Sequence, residues 1–468
     1  LSSVQISASS AAAFPSLSYP NSSTAAATQE RARTVSLVRP FYPALDGLRA
    51  VAFLTVFGFH TVRMLWKNSI FNWGWMGVDM FFVLSGFLIT GILYDSLQMQ
   101  AAVPARANDF FRNFYVRRAL RIFPLFYSVF AVLLLATPLL HIHWDRYNLA
   151  MALYLGNFFE PGALAGVHPS PGIVWFAASH AGEPQRSFVL QHFWSLCVEE
   201  QFYLIWPTVV WLVRSRRALL RLCLVFVVAM PFARAAFFAL HPSQVWQGSV
   251  YYLSYFRFDT LLLGAAAALW LRGPAPAPQT IRRSAAALFP IAVGLLALGY
   301  SLESSHPALT TAYDRFVSTY GYSLVALAAL AVLLLAIDEG SPLQRLLRWR
   351  PLMYLGRISY GLYVLHLIPL PFVGTFSKRY LAPHHLAWTM PIFYLGFVVV
   401  LASLSFRFLE SPFLRLKSVL APQRNHVADP APMGEADGEP AYLETNSGLV
   451  QAASSPREAS NAMNRPYA

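Results

Sequence analysis

About ten stretches of apolar residues, each roughly the 17–25 residues that a helix needs to cross a bilayer, recur along the sequence. They fall near 44–64, 74–96, 118–140, 192–213, 218–238, 250–271, 285–302, 318–337, 352–373 and 388–410. Hydrocarbon offers no partner to a backbone N–H or C=O, so each stretch is expected to satisfy its own as a helix. Composition agrees: 56% of the 468 residues are hydrophobic and 12% charged, where a soluble chain carries about a quarter charged. The mean hydropathy is +0.46. The expected fold is an all-α transmembrane bundle of about ten spans. A further apolar patch, 147–159, is too short to span and suits an interfacial or re-entrant piece.

The net charge of +13 does not point to nucleic acid, because Lys and Arg gather in short segments between the apolar runs. Arg106, Arg112, Arg117 and Arg118 follow the second run, and Arg214, Arg216, Arg217 and Arg221 surround the turn after the fourth. Arg272, Arg282 and Arg283 follow the sixth, Arg345, Arg348 and Arg350 the eighth, and Arg415 and Lys417 the tenth. The alternate loops are poorer in cations, so both termini are expected to be cytoplasmic. Residues 1–40, rich in Ala, Ser, Thr and Pro and without the apolar core of a signal peptide, and the polar residues 418–468 are expected to be disordered tails. They flank a membrane domain over 41–417. Cys197 and Cys223 fall in different spans near opposite faces, which argues against a disulfide. His141 and His143 alone do not make a metal site, and no metal is expected.

Within the spans, charge is sparse and expensive, so it is expected to face a polar cavity or a partner. Depth along alternating helices sorts it into two layers. An outer one holds His60, Asp79, Glu199, Glu200, Arg257, Asp259 and His366; an inner one holds Asp46, Arg49, Arg117, Arg118, Arg121, Arg357 and Glu410. Arg49 and His60 close the two ends of "RAVAFLTVFGFH", eleven residues or about 16 Å apart on one helix face. Bland roles compete with functional ones. Arg117, Arg118 and Arg121 serve equally as topology signals, Arg257 and Asp259 as a structural ion pair, and His366 as a packing residue. His60, a mid-helix histidine level with two carboxylates, is read as catalytic.

Several motifs coincide with one family: "LDGLRAVAFLTVFGFH" at 45–60, "GVDMFFVLSGFLIT" at 77–90, "RRALRIFPLFY" at 117–127, "HFWSLCVEEQFYLIWP" at 192–207, "YFRFDTLLLGAAAA" at 255–268, "LGRISYGLYVLH" at 355–366 and "RFLESPFLRLK" at 407–417. In this order they resemble the membrane acyltransferase-3 family of bacterial O-acyltransferases. The resemblance implies an enzyme of the bacterial inner membrane that takes an acyl group, commonly acetyl, from cytoplasmic acyl-CoA. The acceptor it implies is a hydroxyl of a sugar or other glycan at the outer face. The family's R-x10-H pair falls on Arg49 and His60, its W-S-L-x-x-E motif on Trp194, Ser195, Leu196 and Glu199, and its R-x-D motif on Arg257 and Asp259. Many relatives carry a soluble esterase-like domain after the last span. This chain shows a polar tail there, so it is expected to act alone or with a separate partner.

On that footing Arg49, Arg117, Arg118, Arg121 and Arg357 are expected to hold the phosphates of coenzyme A, which guanidinium groups bind with paired donors. The catalytic set is expected to be His60, Glu199, Glu200, Arg257 and Asp259. His60 acts as general base on the acceptor hydroxyl with Glu199 orienting it, and Arg257 stabilises the developing oxyanion with Asp259 fixing its direction. An acyl-enzyme through Ser195 or Ser85 is a less favoured route. The rival class is a transporter of a small anionic or acylated substrate, since charges at mid-membrane also mark transport paths.

Overall fold

The computed structural model describes residues 42–421, except 66–72, 103–106, 141, 145, 159–175, 181–182, 188–189, 241–246, 275–277, 305–315 and 385. Apart from the turn at 418–421, the expected tails lie outside the described residues, as do His141 and Arg106.

Among the described residues, eight helices are long and apolar enough to cross a membrane. They belong to α1 (Pro43–Leu65), α2 (Met76–Ala102), α3 (Ala107–Leu140), a later pair numbered below, a helix over Pro278–Ser304, the segment Val317–Ile337, and the last long helix beginning at Met390. Each matches one expected span. The long connection after α3 carries a short helix, α4 (Arg146–Ala152), over the expected interfacial patch. It also carries a small sheet: β1 (Ile142–His143) pairs in parallel with β3 (Glu183–Ser187), which pairs antiparallel with β2 (Phe176–His180). The pair that follows is α5 (Trp194–Val213) and α6 (Arg216–Leu240).

The two remaining expected spans are not continuous helices. The first is α7 (Gln247–Tyr252), an extended Leu253, a single turn at Ser254–Phe256, and then α8 (Phe258–Leu271). Fourteen residues rise about 21 Å, short of a ~30 Å core. After α9 (Pro278–Ser304), α10 (Tyr322–Ile337) and α11 (Pro342–Leu347), the second breaks into α12 (Arg350–Arg357), α13 (Ser359–Leu365) and α14 (Leu370–Phe376). Pro369 and Pro371 cannot donate the backbone bonds that would carry α13 onward. Such breaks are tolerated at membrane depth where protein covers them. Ser254, Phe256, Arg257 and Ser359 are all buried. The chain closes with α15 (Met390–Ser405) and the short turns of Phe406–Leu420.

At the centre α8 lies parallel to α2. Buried Arg257 pairs with Asp79 near one end at 2.5 Å, and Arg272 pairs with Asp95 toward the other at 2.6 Å. The two spacings, 257 to 272 and 79 to 95, nearly match, so the helices run together for four turns. Between the pairs their backbones touch: a Cβ on Gly86 would lie 1.8 Å from the Leu261 carbonyl oxygen, and one on Gly264 would lie 2.0 Å from that of Val83. Small residues permit this approach where lipid supplies no hydrophobic drive to association. Gly86→Leu is therefore expected to abolish the monodisperse detergent-extracted peak, whereas leucine at Gly294, which meets nothing within 4 Å, leaves it unchanged. Equal chromatographic behaviour of the two variants would refute the close contact.

Candidate active site

A cavity opens between α1, α2, α3, α5 and α13. Arg49 of α1 enters it, and so do Arg118 and Arg121 of α3. These two are three residues apart and share a helix face. Arg117 is turned from it: its Nε and Nη2 donate to the Ala421 carbonyl at 2.9 and 2.6 Å. From α5 come Ser195, Glu199 and Tyr203, at spacings of four that line one stripe, with Glu200 beside them. Tyr360 and Tyr363 of α13 form the opposite wall.

The lining is cross-braced. The Ser85 and Tyr203 hydroxyls are paired, and the Arg118 guanidinium lies 5.7 Å from the Tyr203 ring centroid. Tyr360 donates to the Ile122 carbonyl at 2.6 Å, and Ser195 Oγ and the Tyr363 hydroxyl are 2.5 Å apart. Arg49 also donates to Asp46 at 2.6 Å. Arg118 is in electrostatic reach of Glu200, Glu199 and Arg49, and Arg121 of Arg49, Glu410 and Asp46. Glu199 and Glu200 of the expected outer layer thus meet Arg49, Arg118 and Arg121 of the inner one in one chamber, whose lining does not include His60, Asp79, Arg257, Asp259 or His366. Arg357, exposed at the end of α12, is outside its lining, as is Arg117.

Behind Tyr363 stands a histidine cluster. His60 Nδ1 meets His366 Nε2 at 3.2 Å, and the ring of His366 lies 5.2 Å from those of both His60 and His192. His366 Nδ1 faces the Tyr363 carbonyl at 2.7 Å, and His192 Nε2 faces that of Val364 at 3.0 Å. Tyr363 links the cluster to the cavity, donating to the His192 carbonyl at 3.0 Å. The imidazole partner of His60 is therefore His366, while Glu199 lines the chamber.

Arg257 and Asp259 form neither a pair with each other nor part of the cavity wall. Residues two apart on a helix point in different directions. Arg257 goes to Asp79 and lies 4.4 Å from the Tyr322 ring centroid. Asp259 goes to Arg234, which donates to it at 2.9 Å and also to Thr319 O, Phe256 O and Ser323 Oγ. All four charged groups are buried. Among the described residues Arg257 Nε and Nη1, Asp79 Oδ2 and Asp259 Oδ1 have no hydrogen-bond partner, so the network is polar beyond its two ion pairs.

Sequence reasoning missed Arg234 and His192. Arg234 is a lone cation inside an apolar run, the usual mark of a buried partner. His192 lies two residues before the W-S-L motif, in the short turn Gln191–Phe193 ahead of α5, and outside the motif string itself.

The acyltransferase domain family matches residues 42–408, nearly all of the described fold. The chain belongs to that family. Three relatives in it are similar along most of the chain: YrhL of Bacillus subtilis is 30% identical over 80% of the chain. The peptidoglycan O-acetyltransferase OatA of Listeria monocytogenes is 27% identical over 81%, and the O-acetyltransferase OatA of Staphylococcus aureus 25% over 82%. The chain spans 55–59% of the length of these relatives. No solved structure matches.

Proposed function

We propose that this acyltransferase-family chain is an O-acetyltransferase of the bacterial inner membrane. In this reading it moves acetyl from acetyl-CoA on the cytoplasmic side to a hydroxyl of a cell-envelope glycan, with residues 41–417 as the catalytic unit. The observation that carries the reading is the single chamber in which Arg49, Arg118 and Arg121 stand with Glu199 and Glu200. A cluster of guanidinium groups suits a polyanionic donor, because each binds phosphate oxygens with paired donors and keeps its charge. Peptidoglycan is the first acceptor to try, since relatives are named for it.

With the arginine-rich loops and both termini toward the cytoplasm, the donor enters at Arg49, Arg118 and Arg121 and its thioester reaches toward His60. His60 lies about 16 Å further along α1. The acceptor hydroxyl gives its proton to His60 as its oxygen attacks the thioester carbonyl carbon. The tetrahedral intermediate then expels the coenzyme A sulfur, the C–S bond breaks, and His60 returns the proton to that sulfur. The products are the O-acyl ester and free coenzyme A. Glu199 and Glu200, which line the chamber, accept hydrogen bonds from hydroxyl groups of the acceptor. The Arg257–Asp79 and Arg234–Asp259 pairs are each net neutral and supply fixed dipoles beside α2.

The test is transfer of labelled acetyl from acetyl-CoA to peptidoglycan fragments and envelope polysaccharide by the chain in lipid nanodiscs. An alkali-labile labelled ester is the expected product. Retention of all label in acetyl-CoA with every acceptor, together with vesicle uptake of the donor, would instead support a transporter, whose helices are also broken at the substrate path. Arg118→Ala and Arg121→Ala are each expected to raise KM for acetyl-CoA about 10- to 100-fold, the loss of one charged hydrogen bond. An unchanged KM in both would remove the chamber from donor binding.

A further inference from the structure

We infer that His366 is a positioning residue that fixes the tautomer of His60, leaving the lone pair of His60 on Nε2; this rests on the reading of His60 as the general base. A carbonyl oxygen can only accept, so the 2.7 Å contact between His366 Nδ1 and the Tyr363 carbonyl places the His366 proton on Nδ1. The neutral ring then presents a lone pair at Nε2. The atom facing it at 3.2 Å is His60 Nδ1, which must donate. His60 is thereby the Nδ1–H tautomer, opposite to the Nε2–H form that histidine side chains prefer in water. Its basic nitrogen is Nε2, turned from His366.

The backbone holds this order in place. Tyr363 and His366 lie one helical turn apart at the end of α13, so the carbonyl and the ring meet within one element, and the fully buried His366 ring has its own carbonyl fixed by the Tyr394 hydroxyl. Phe53 stands edge-on to the His366 ring at 5.8 Å and 90°. His192, the third imidazole, is pinned separately by the Val364 carbonyl and so does not compete for the His366 lone pair. Many catalytic histidines are oriented by a carboxylate. Here a neutral acceptor does it, and no charge is buried among Phe53, Phe57 and Tyr394 before the reaction starts. When His60 takes the hydroxyl proton on Nε2, its Nδ1–H continues to donate into His366, which steadies the imidazolium.

The test reads the tautomer directly, by nitrogen NMR of ¹⁵N-histidine-labelled full chain in nanodiscs, with the His60 signals assigned by their loss in His60→Gln. The wild-type chain is expected to show His60 protonated on Nδ1, and His366→Phe, which keeps the ring volume but removes the acceptor, to move that proton to Nε2. His366→Gln, whose amide oxygen can occupy the place of Nε2, is expected to retain the wild-type signal and guards against a folding artefact. In the transfer assay His366→Phe is expected to lower kcat about 10- to 100-fold at unchanged KM for acetyl-CoA, within the ~10²–10⁴ that a general base supplies. A wild-type His60 protonated on Nε2, or a signal unmoved in His366→Phe, overturns the inference. If the tautomer switches but His60→Ala transfers at the wild-type rate, the positioning stands and the general-base reading falls.

Discussion

Replacing His60 by alanine is expected to lower acyl transfer by about 10²–10⁴-fold, the contribution of a positioned base to proton removal from a weakly acidic hydroxyl. The loss belongs in kcat, because the proposed donor site is Arg49, Arg118 and Arg121 rather than the imidazole. Folding is expected to survive. The side chain is only half-buried near the end of α1, and the His366 Nε2 that loses its donor is a neutral acceptor. Glu199→Gln keeps the volume and can keep the contact with the Ser85 hydroxyl, so its effect is expected to be smaller than that of His60→Ala. The comparison is single-turnover transfer from labelled acetyl-CoA with matched amounts of monodisperse protein. A His60→Ala chain that turns over at the wild-type rate would take His60 out of the chemistry, whatever the acceptor.

The largest stability effect is expected at Arg234. Its guanidinium, itself fully buried, satisfies the Asp259 carboxylate, the Ser323 hydroxyl and the carbonyls of Phe256 and Thr319. Arg234→Met removes every one of these donors and leaves a buried carboxylate uncompensated, a loss of about 3–5 kcal/mol where only one partner of a buried pair is deleted. The consequence reaches further than one pair, because the Phe256 carbonyl belongs to the turn that aims Arg257 at Asp79. Removing the stranded charge as well, in Arg234→Met with Asp259→Asn, is expected to recover a large part of the loss, since an amide costs far less to bury than a carboxylate. Thermal unfolding in detergent, followed by loss of the monodisperse fraction, distinguishes these cases. A single variant that melts with the wild type, or a double variant no better than the single, would show that this network does not hold α6, α8 and α10 together.

The contrast between those two residues shows what could be read without coordinates. His60 stood out because an imidazole in the middle of an apolar run has few structural reasons to be there. Arg234, an equally conspicuous cation in α6, was passed over because its partners are 22 to 89 positions away and share no motif with it. Arg257 and Asp259 were grouped because they are neighbours in sequence, yet the helix sends them to opposite partners. The five arginines assigned to the donor divide in the same way. Rotation about α3 turns Arg118 and Arg121 into the chamber and Arg117 out of it, toward the Ala421 carbonyl.

The bundle itself, its alternating cationic loops and its family were legible in the order of residues, since hydropathy and charge add up locally along the chain and a motif is a local string. Eight of the expected spans are continuous helices; the other two are broken, at Leu253 and after His366, where buried contacts cover the exposed backbone. Which groups meet was settled only by folding. His60 reaches His366 across 306 positions, Arg257 reaches Asp79 across 178, and the chamber draws its walls from five separate helices. Such meetings depend on how each helix is rotated about its axis and how closely glycines let two backbones approach, and neither quantity is carried by any single stretch of sequence.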